Sequence, residues 1–414
     1  MDLLNGVAVV IDNGIGPPPN GEENINKIIK KIQDRGIPTT EFTSLDSAEK
    51  CSKNFLTVNF IILDWKMVSA PEGTPTGVQA GQELLEAAKL KNVEFIKKLK
   101  EYCFAPIFIF TNENQADIEA DILAKLRQAG LYFDQEGRDY IYVRNKTDIL
   151  QDDKLFTEID QWINKTPSIY VLKSWDKEFL KAKNEIFWEL YNKSNGSWPK
   201  VLWEHCEEEK EILPHTCINE MIFQLILSKV SMKDLDKAKV TTLNKAPDLK
   251  EMKDIFKRIM FQDGELGGGS LDGVKPGDIF KDNDKYFLNI RPECDTVPGK
   301  HGCDNIYVIC GTKIPDTELK DIHPQYLPSG LIPKIFEDFI WLLEGDGLVK
   351  FDFREVGVRK FSDLKTKRLC RLLPPYITNI QQRFSSYLGR FGIPRLPKAI
   401  EKDILKIAAV AATQ

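Results

Sequence analysis

The stretch Phe60-Ile-Ile-Leu-Asp-Trp-Lys-Met67 joins a short apolar run to an acidic residue at its carboxyl end. The run begins at Val58, is rich in isoleucine and is bounded by polar residues, a pattern typical of a strand buried on both faces of a parallel sheet. Open α/β sheets bind their ligands beyond the carboxyl ends of their strands. Asp64 is therefore a candidate functional residue at the end of a central strand.

Three further apolar runs also end in a polar residue. Val7–Asp12 ends in an acid, Pro106–Thr111 in a hydroxyl and Tyr140–Lys146 in a lysine. Helical patterns alternate with these runs, as in Glu22–Arg35, whose four isoleucines share one face. With Thr39–Thr43 as the remaining strand, this alternation predicts an α/β doubly wound domain with a five-stranded parallel sheet.

The pattern of residues at the ends of these four strands, two acids, a hydroxyl and a lysine, resembles that of the receiver domain of two-component response regulators. In this family the central aspartate begins a D-x-x-M phrase, as Asp64 does here. The resemblance covers residues 1–165 and implies that Asp64 accepts a phosphoryl group. It also implies that Asp12 and Asp64 hold Mg²⁺, and that Thr111 and Lys146 bind the phosphoryl oxygens. These residue types suit that chemistry, in which a carboxylate is the nucleophile and cations offset the phosphoryl charge.

The sequence also departs from the receiver pattern. The family usually has an acidic pair after its first strand, whereas here Asn13 follows Asp12, so we expect weak Mg²⁺ binding. Long gaps between the key residues predict insertions in Ser69–Asn92 and Asp134–Arg138. The family's proline after the lysine is Thr147. Because a fold persists when phosphotransfer is lost, a non-catalytic pseudo-receiver that serves only as a docking scaffold stays an alternative.

The chain beyond residue 165 divides into three predicted regions. Residues 166–262 form a mainly helical middle region, with apolar residues at helical spacing in Trp175–Ser194 and His215–Val230. Residues 263–315 contain three strand-like segments between turns and predict a small β module. Residues 316–414 are expected to be helical and basic. The predicted fold class is therefore a receiver-like domain followed by a helical region and a small β module (α+β).

Two phrases in the carboxyl half resemble the long response-receiver proteins of bacterial phage-defence and other conflict loci. One is Gly277-Asp-Ile-Phe together with Tyr286-Phe-Leu-Asn-Ile-Arg-Pro-Glu-Cys-Asp295, and the other is Gln382-Arg-Phe-Ser-Ser-Tyr-Leu-Gly-Arg-Phe-Gly-Ile-Pro-Arg395. This resemblance implies a signalling or adaptor subunit in antiviral defence, with a GHKL-type ATPase or kinase subunit as its partner. It predicts no enzymatic activity beyond autophosphorylation of Asp64 from a phosphodonor.

Charge is distributed unevenly along the chain. The whole protein carries −5, yet residues 354–398 hold eleven basic and two acidic residues, a local net charge of +9. Contact with a nucleic-acid backbone is one interpretation of this segment. The other is a helix, Tyr376–Phe391, that packs its apolar face on the protein and binds an acidic protein partner, and we favour it. The predicted partner-binding residues are Arg383, Phe384, Tyr387 and Arg390.

Composition limits the remaining possibilities. A chain of 414 residues exceeds the size at which one core keeps growing, so several domains are expected. No apolar run approaches roughly 18 residues, which predicts no membrane partner. Eight cysteines without close spacing predict reduced thiols and a cytoplasmic protein. The cysteines and histidines also lack the short spacings of a zinc site. Weakly bound Mg²⁺, which the receiver resemblance implies, is the expected cofactor.

Overall fold

The chain forms two compact units in the computed structural model. The first comprises Met1–Trp198 and Met221–Ala246, and the second comprises Pro199–Glu220 and Pro247–Gln414. The structure describes residues 2–4, 6–17, 21–67, 81–131, 140–151, 154–193, 196–208, 214–241, 248–263, 273–296, 302–314, 337–341 and 348–389. Much of both predicted insertions, Ser69–Asn92 and Asp134–Arg138, lies outside these ranges.

The first unit is built on a parallel sheet of five strands. Its strands are β1 (Val7–Ile11), β2 (Thr39–Phe42), β3 (Val58–Leu63), β4 (Ile107–Thr111) and β5 (Ile141–Asn145). They lie side by side in the order β2-β1-β3-β4-β5, and every pair is parallel. Strands β3 and β4 are buried along almost their whole length, as their unbroken apolar runs predict. The predicted doubly wound fold is confirmed.

Helices on both sides of this sheet close its core. They are α1 (Glu23–Asp34), α2 (Leu45–Cys51), α3 (Gln82–Tyr102), α4 (Gln115–Gln128), α5 (Lys146–Leu150) and α6 (Lys154–Lys165). Each of the longer helices buries one apolar stripe; in α1 the stripe is the four isoleucines predicted to face the sheet. Because each helix returns the chain to the start of the next parallel strand, every strand ends at the same edge of the sheet.

A mainly helical region follows, as predicted. It contains α7 (Pro167–Lys193), α8 (Trp198–Glu208), α9 (Pro214–Lys229), α10 (Lys237–Val240) and α11 (Leu249–Met260). Helix α7 packs on α9 through Ala182, Ile186 and Ile226. In the part of the chain that the structure describes, no helix is long and apolar enough to cross a membrane.

The second unit contains an antiparallel sheet of seven strands. They are β6 (Phe261–Asp263), β7 (Asp278–Asp282), β8 (Lys285–Asn289), β9 (Asn305–Lys313), β10 (Glu337–Trp341), β11 (Leu348–Lys360) and β12 (Arg368–Leu372). Helix α12 (Phe361–Leu364) lies between β11 and β12 in the chain, and helix α13 (Tyr376–Leu388) follows β12. The strand order is β10-β11-β9-β8-β7-β12-β6. The β module is therefore confirmed, and it continues beyond residue 315.

The region 316–414, predicted to be helical, contains three of these strands. Strand β11 alternates buried Val349, Phe351 and Phe353 with more exposed polar residues, which is the period of a half-buried strand. The prediction of a helical region rested on the Tyr376–Phe391 helix and did not use this alternation. The described helical part of the region consists of a short turn at Phe361–Lys367 and helix α13.

Candidate functional site

Asp12 and Lys146 form a buried ion pair at the carboxyl edge of the parallel sheet. Asp12 follows β1 and Lys146 follows β5, with β3 and β4 between these strands. The Lys146 Nζ nevertheless lies 2.9 Å from Asp12 Oδ2, and both side chains are almost completely buried. Burial lowers the pKa of Lys146, but the carboxylates of Asp12, Glu22 and Asp64 outweigh this effect and raise it above its ordinary value.

Asp64 lies in the same electrostatic environment. Its backbone N–H donates to the Ile11 carbonyl at 2.9 Å, which fixes it beside Asp12. Its carboxylate accepts a hydrogen bond from the Lys66 N–H at 3.3 Å. Burial and the charge of Asp12 raise the pKa of Asp64 from 3.8 to about 6, while Lys146 and the Lys66 N–H oppose the rise. Asp64 is thus a carboxylate without full charge compensation at the end of the central strand.

Thr111 is the last residue of β4 and is buried. Its hydroxyl accepts a hydrogen bond from the Glu113 N–H at 3.0 Å, which orders the turn after the strand. Since β4 lies between β3 and β5, Thr111 ends between Asp64 and Lys146 at the same sheet edge. All four residues that the sequence places in the site therefore follow or end strands at one edge.

Glu22 is a member of this cluster that the sequence did not reveal. Its carboxylate accepts a hydrogen bond from Lys146 Nζ at 2.5 Å and another from the Asn112 side-chain amide. Its charge also contributes to the raised pKa of Asp64. Glu22 precedes α1, in the connection that begins at the end of β1. That connection runs along the functional edge of the sheet, and this is the signal that could have identified it.

Asn92, also missed from the sequence, orders the chain just after Asp64. Its side-chain amide donates to the Asp64 carbonyl at 3.1 Å and to the Trp65 carbonyl at 2.8 Å, and it is completely buried on α3. The Trp65 indole N–H in turn donates to Asp121 at 2.9 Å. These bonds fix the turn that carries the candidate nucleophile, although Asn92 lies 28 residues further along the chain.

Few carboxylates at this site could bind a metal ion. Among the described residues, no group of three or more His, Cys, Asp or Glu side chains is arranged to hold a metal. Asp12 accepts hydrogen bonds at both oxygens, from the Gly14 N–H at 2.8 Å and from Lys146. Mg²⁺ is commonly held by one or two carboxylates together with water and phosphate oxygens. Asp12 and Asp64 are the residues that could provide those carboxylates here.

The predicted partner-binding residues lie on or beyond helix α13. Phe384 and Tyr387 are partly buried, and their ring centroids lie 5.6 Å and 6.0 Å from that of Phe353 on β11. These two aromatic rings therefore contribute to the core of the second unit. Arg383 is partly buried on the same helix, and Arg390 lies outside the described residues. Their role in binding a partner stays a prediction.

Several basic residues of the 354–398 segment are neutralised by acids outside it. Arg371 donates to the buried carboxylate of Asp278 at 2.7 Å, and Arg368 lies 3.5 Å from the same carboxylate. Lys367 pairs with Asp282 at 2.9 Å. Arg354 is paired in the same way with Asp352, its neighbour on β11. The local charge of +9 in the sequence therefore overstates the positive charge that this segment presents.

The first unit has a receiver-like α/β fold, with a carboxylate and lysine cluster at the edge where such folds bind ligands. In comparisons with known proteins, no family model, no curated protein and no solved structure matches this chain.

Proposed function

We propose that the first unit is a phosphoacceptor domain and that Asp64 receives the phosphoryl group. The observation that carries this proposal is the placement of Asp64 within electrostatic range of Asp12 and Lys146, at the carboxyl edge of a sheet ordered β2-β1-β3-β4-β5. Lys146 follows β5, the outermost strand on one side of the sheet, yet its ammonium lies in the cleft beside Asp12. Its ammonium offsets the charge of transferred phosphoryl oxygens.

The chemistry requires little of the protein beyond position and charge. An Asp64 carboxylate oxygen attacks the phosphorus of a phosphodonor, the bond to the leaving group breaks, and the leaving group takes the electron pair. The product is an acyl phosphate. Because the pKa of Asp64 is about 6, its carboxylate is mostly ionised at neutral pH and needs no general base. Lys146 and the Thr111 hydroxyl follow or end the strands beside Asp64, where they would bind the phosphoryl oxygens.

Mg²⁺ would be held by Asp12 and Asp64 and would offset the negative charge of the phosphoryl group. The site has particular need of a cation. Three carboxylates, those of Asp12, Glu22 and Asp64, share the cleft with Lys146. When all four are ionised the cluster carries a net charge of −2, which repels a phosphodonor. We therefore expect labelling to require Mg²⁺ and to be slow at low Mg²⁺ concentration.

Acetyl phosphate provides the direct test. Incubation of the full chain with acetyl phosphate and Mg²⁺ should add one phosphoryl group, detected by intact mass spectrometry. Asp64→Asn should abolish the addition, and Asp34→Asn, an exposed acid on α1, should leave it unchanged. Labelling of Asp64→Asn to the level of the unsubstituted protein would contradict the proposal. Absence of labelling at every Mg²⁺ concentration would favour the non-catalytic docking scaffold.

The output of the domain, in this proposal, is altered binding of a protein partner by a signalling or adaptor subunit of a bacterial defence system. A GHKL-type ATPase or kinase as that partner is supported by the sequence resemblance. The internal pairing of Arg354, Lys367, Arg368 and Arg371 supports a protein partner over nucleic acid, because it leaves fewer cations to contact phosphates. A pseudo-receiver whose basic carboxyl region binds nucleic acid is the alternative.

A further inference from the structure

Glu22 is held at both of its carboxylate oxygens by groups at the ends of two different strands. Lys146, after β5, donates to one oxygen, and the side-chain amide of Asn112, after β4, donates to the other. Asn112 directly follows Thr111 in the chain. Lys146 is also the cation that the proposed function assigns to a phosphoryl oxygen. The carboxylate of Glu22 thus uses the donors that an oxyanion bound at Asp64 would need.

The backbone of Glu22 is fixed so that its side chain reaches across the site. Its N–H donates to the Gly14 carbonyl at 2.6 Å, and its carbonyl accepts from the Asn26 amide at 2.8 Å. Glu22 is the N-cap residue of α1, yet its side chain makes no capping hydrogen bond there. About a third of the side chain is exposed. It therefore reaches Lys146 from the solvent side and has space into which it can withdraw.

Gly14 makes room for this arrangement. A Cβ atom at Gly14 would lie 2.6 Å from Glu22 Cβ and 3.2 Å from Glu22 Oε2. The first distance is far inside van der Waals contact, so any other residue at position 14 would displace Glu22. The same Cβ atom would lie 3.1 Å from Asp12 Oδ1, so Gly14 also leaves room for that carboxylate. Gly14 thus has a specific steric role that the composition of this loop does not by itself reveal.

We propose that Glu22 is an intramolecular competitor for the anion subsite at Asp64. In the resting state its carboxylate occupies Lys146 and Asn112. When Asp64 is phosphorylated, Lys146 exchanges Glu22 for a phosphoryl oxygen, and the released Glu22 moves toward solvent. In the resting state Glu22 would slow phosphorylation. Its release would change the contacts at the start of α1, and this change would signal that Asp64 is phosphorylated. This inference rests on the proposed function, and it names the regulation of the same site.

The test compares Glu22→Gln and Glu22→Asp with the unsubstituted chain. Gln removes the charge, whereas Asp keeps the charge and shortens the reach to Lys146 by one methylene. If Glu22 competes for the subsite, both variants should label with acetyl phosphate and Mg²⁺ at least about 5-fold faster. If Glu22 acts only through its charge, the Asp variant should behave as the unsubstituted chain does. Glu23→Gln is the matched control, since Glu23 is an exposed neighbour paired with Lys27.

A second measurement separates the inference from the proposed function. Binding of inorganic phosphate, measured by calorimetry without acetyl phosphate, should be at least about 5-fold tighter in both Glu22 variants. Tighter phosphate binding without any labelling would refute phosphorylation of Asp64 and support the competitor. The competitor role of Glu22 would be overturned if both variants kept an unchanged circular dichroism spectrum but showed labelling rates and phosphate affinities equal to or below those of the unsubstituted chain.

Discussion

Asp64 should destabilise the folded protein at neutral pH, and its substitution should reveal this directly. Burial and the charge of Asp12 raise its pKa from 3.8 to about 6. A carboxyl group whose pKa is higher in the folded than in the unfolded chain favours folding while it is protonated. The stabilisation that protonated Asp64 contributes to the folded state is complete below about pH 4, and it is lost as the pH rises through 6. Above that pH the ionised Asp64 costs stability.

The magnitude follows from the size of the shift. A rise of about two pKa units corresponds to roughly 3 kcal/mol, at 1.36 kcal/mol per unit. The side chain of Asp64 is partly exposed, and solvent screening reduces this value. Asn keeps an oxygen that can accept the Lys66 N–H, so the turn should survive the substitution. We therefore expect Asp64→Asn to raise the free energy of unfolding by about 1–3 kcal/mol at pH 7.5.

Hydrogen–deuterium exchange of peptides from β1 and β3 measures this stability within the full chain. These strands form the centre of the first unit, so their slowest amides report its opening. The Asp64→Asn variant should exchange more slowly at pH 7.5 and equally at pH 4, after correction for intrinsic rates. Asp34→Asn, which removes an exposed acid from α1, should show no difference at either pH. Equal stability at pH 7.5, or the same gain at both values, would refute the reasoning.

Two further substitutions probe the ion pair and helix α13. Asp12→Asn should lower the free energy of unfolding by about 3 kcal/mol in the same exchange experiment, because it removes the buried partner of Lys146 and leaves the ammonium only the partly exposed Glu22 and the more distant Asp64. Full stability would contradict a stabilising role of the ion pair. Phe384→Ala should cost roughly 2 kcal/mol, measured by exchange of β11 peptides, because its ring packs on Phe353. A stable variant that loses only partner binding would instead place Phe384 in an interface.

The parallel sheet was predictable because four of its five strands, all except β2, contain local apolar runs. An unbroken apolar run such as Phe60–Leu63 has few alternatives to a strand buried on both faces. The polar residues at the strand ends then fall at one edge by topology alone, and this brought Asp12, Asp64, Thr111 and Lys146 together in the prediction. The proximity of Asp12, Asp64 and Lys146, and the position of Thr111 at the same end of the sheet, follow from backbone regularity without any knowledge of loops.

Glu22 and Asn92 could not be found in the same way. The position of Glu22 depends on the path of the chain after β1 and on the space beside Gly14, and neither is encoded in a periodic pattern. Asn92 lies on a helix, where a buried amide has the same sequence appearance as an exposed one. Likewise, β12 pairs with both β6 and β7, and its Arg371 meets Asp278 only through that long-range pairing. Such contacts are fixed by tertiary structure.

The two aspartates of the cleft have opposite energetic consequences, and this difference bears on function. Asp12 is matched to Lys146 by a short ion pair, so removing it should destabilise the fold. Asp64 interacts with the same lysine only through longer-range electrostatics, and its burial raises its pKa. A carboxyl group with a raised pKa, at the end of the sheet where such folds bind ligands, has an environment found at many functional sites. Under the proposed function, Mg²⁺ would supply the positive charge that Asp64 lacks at rest.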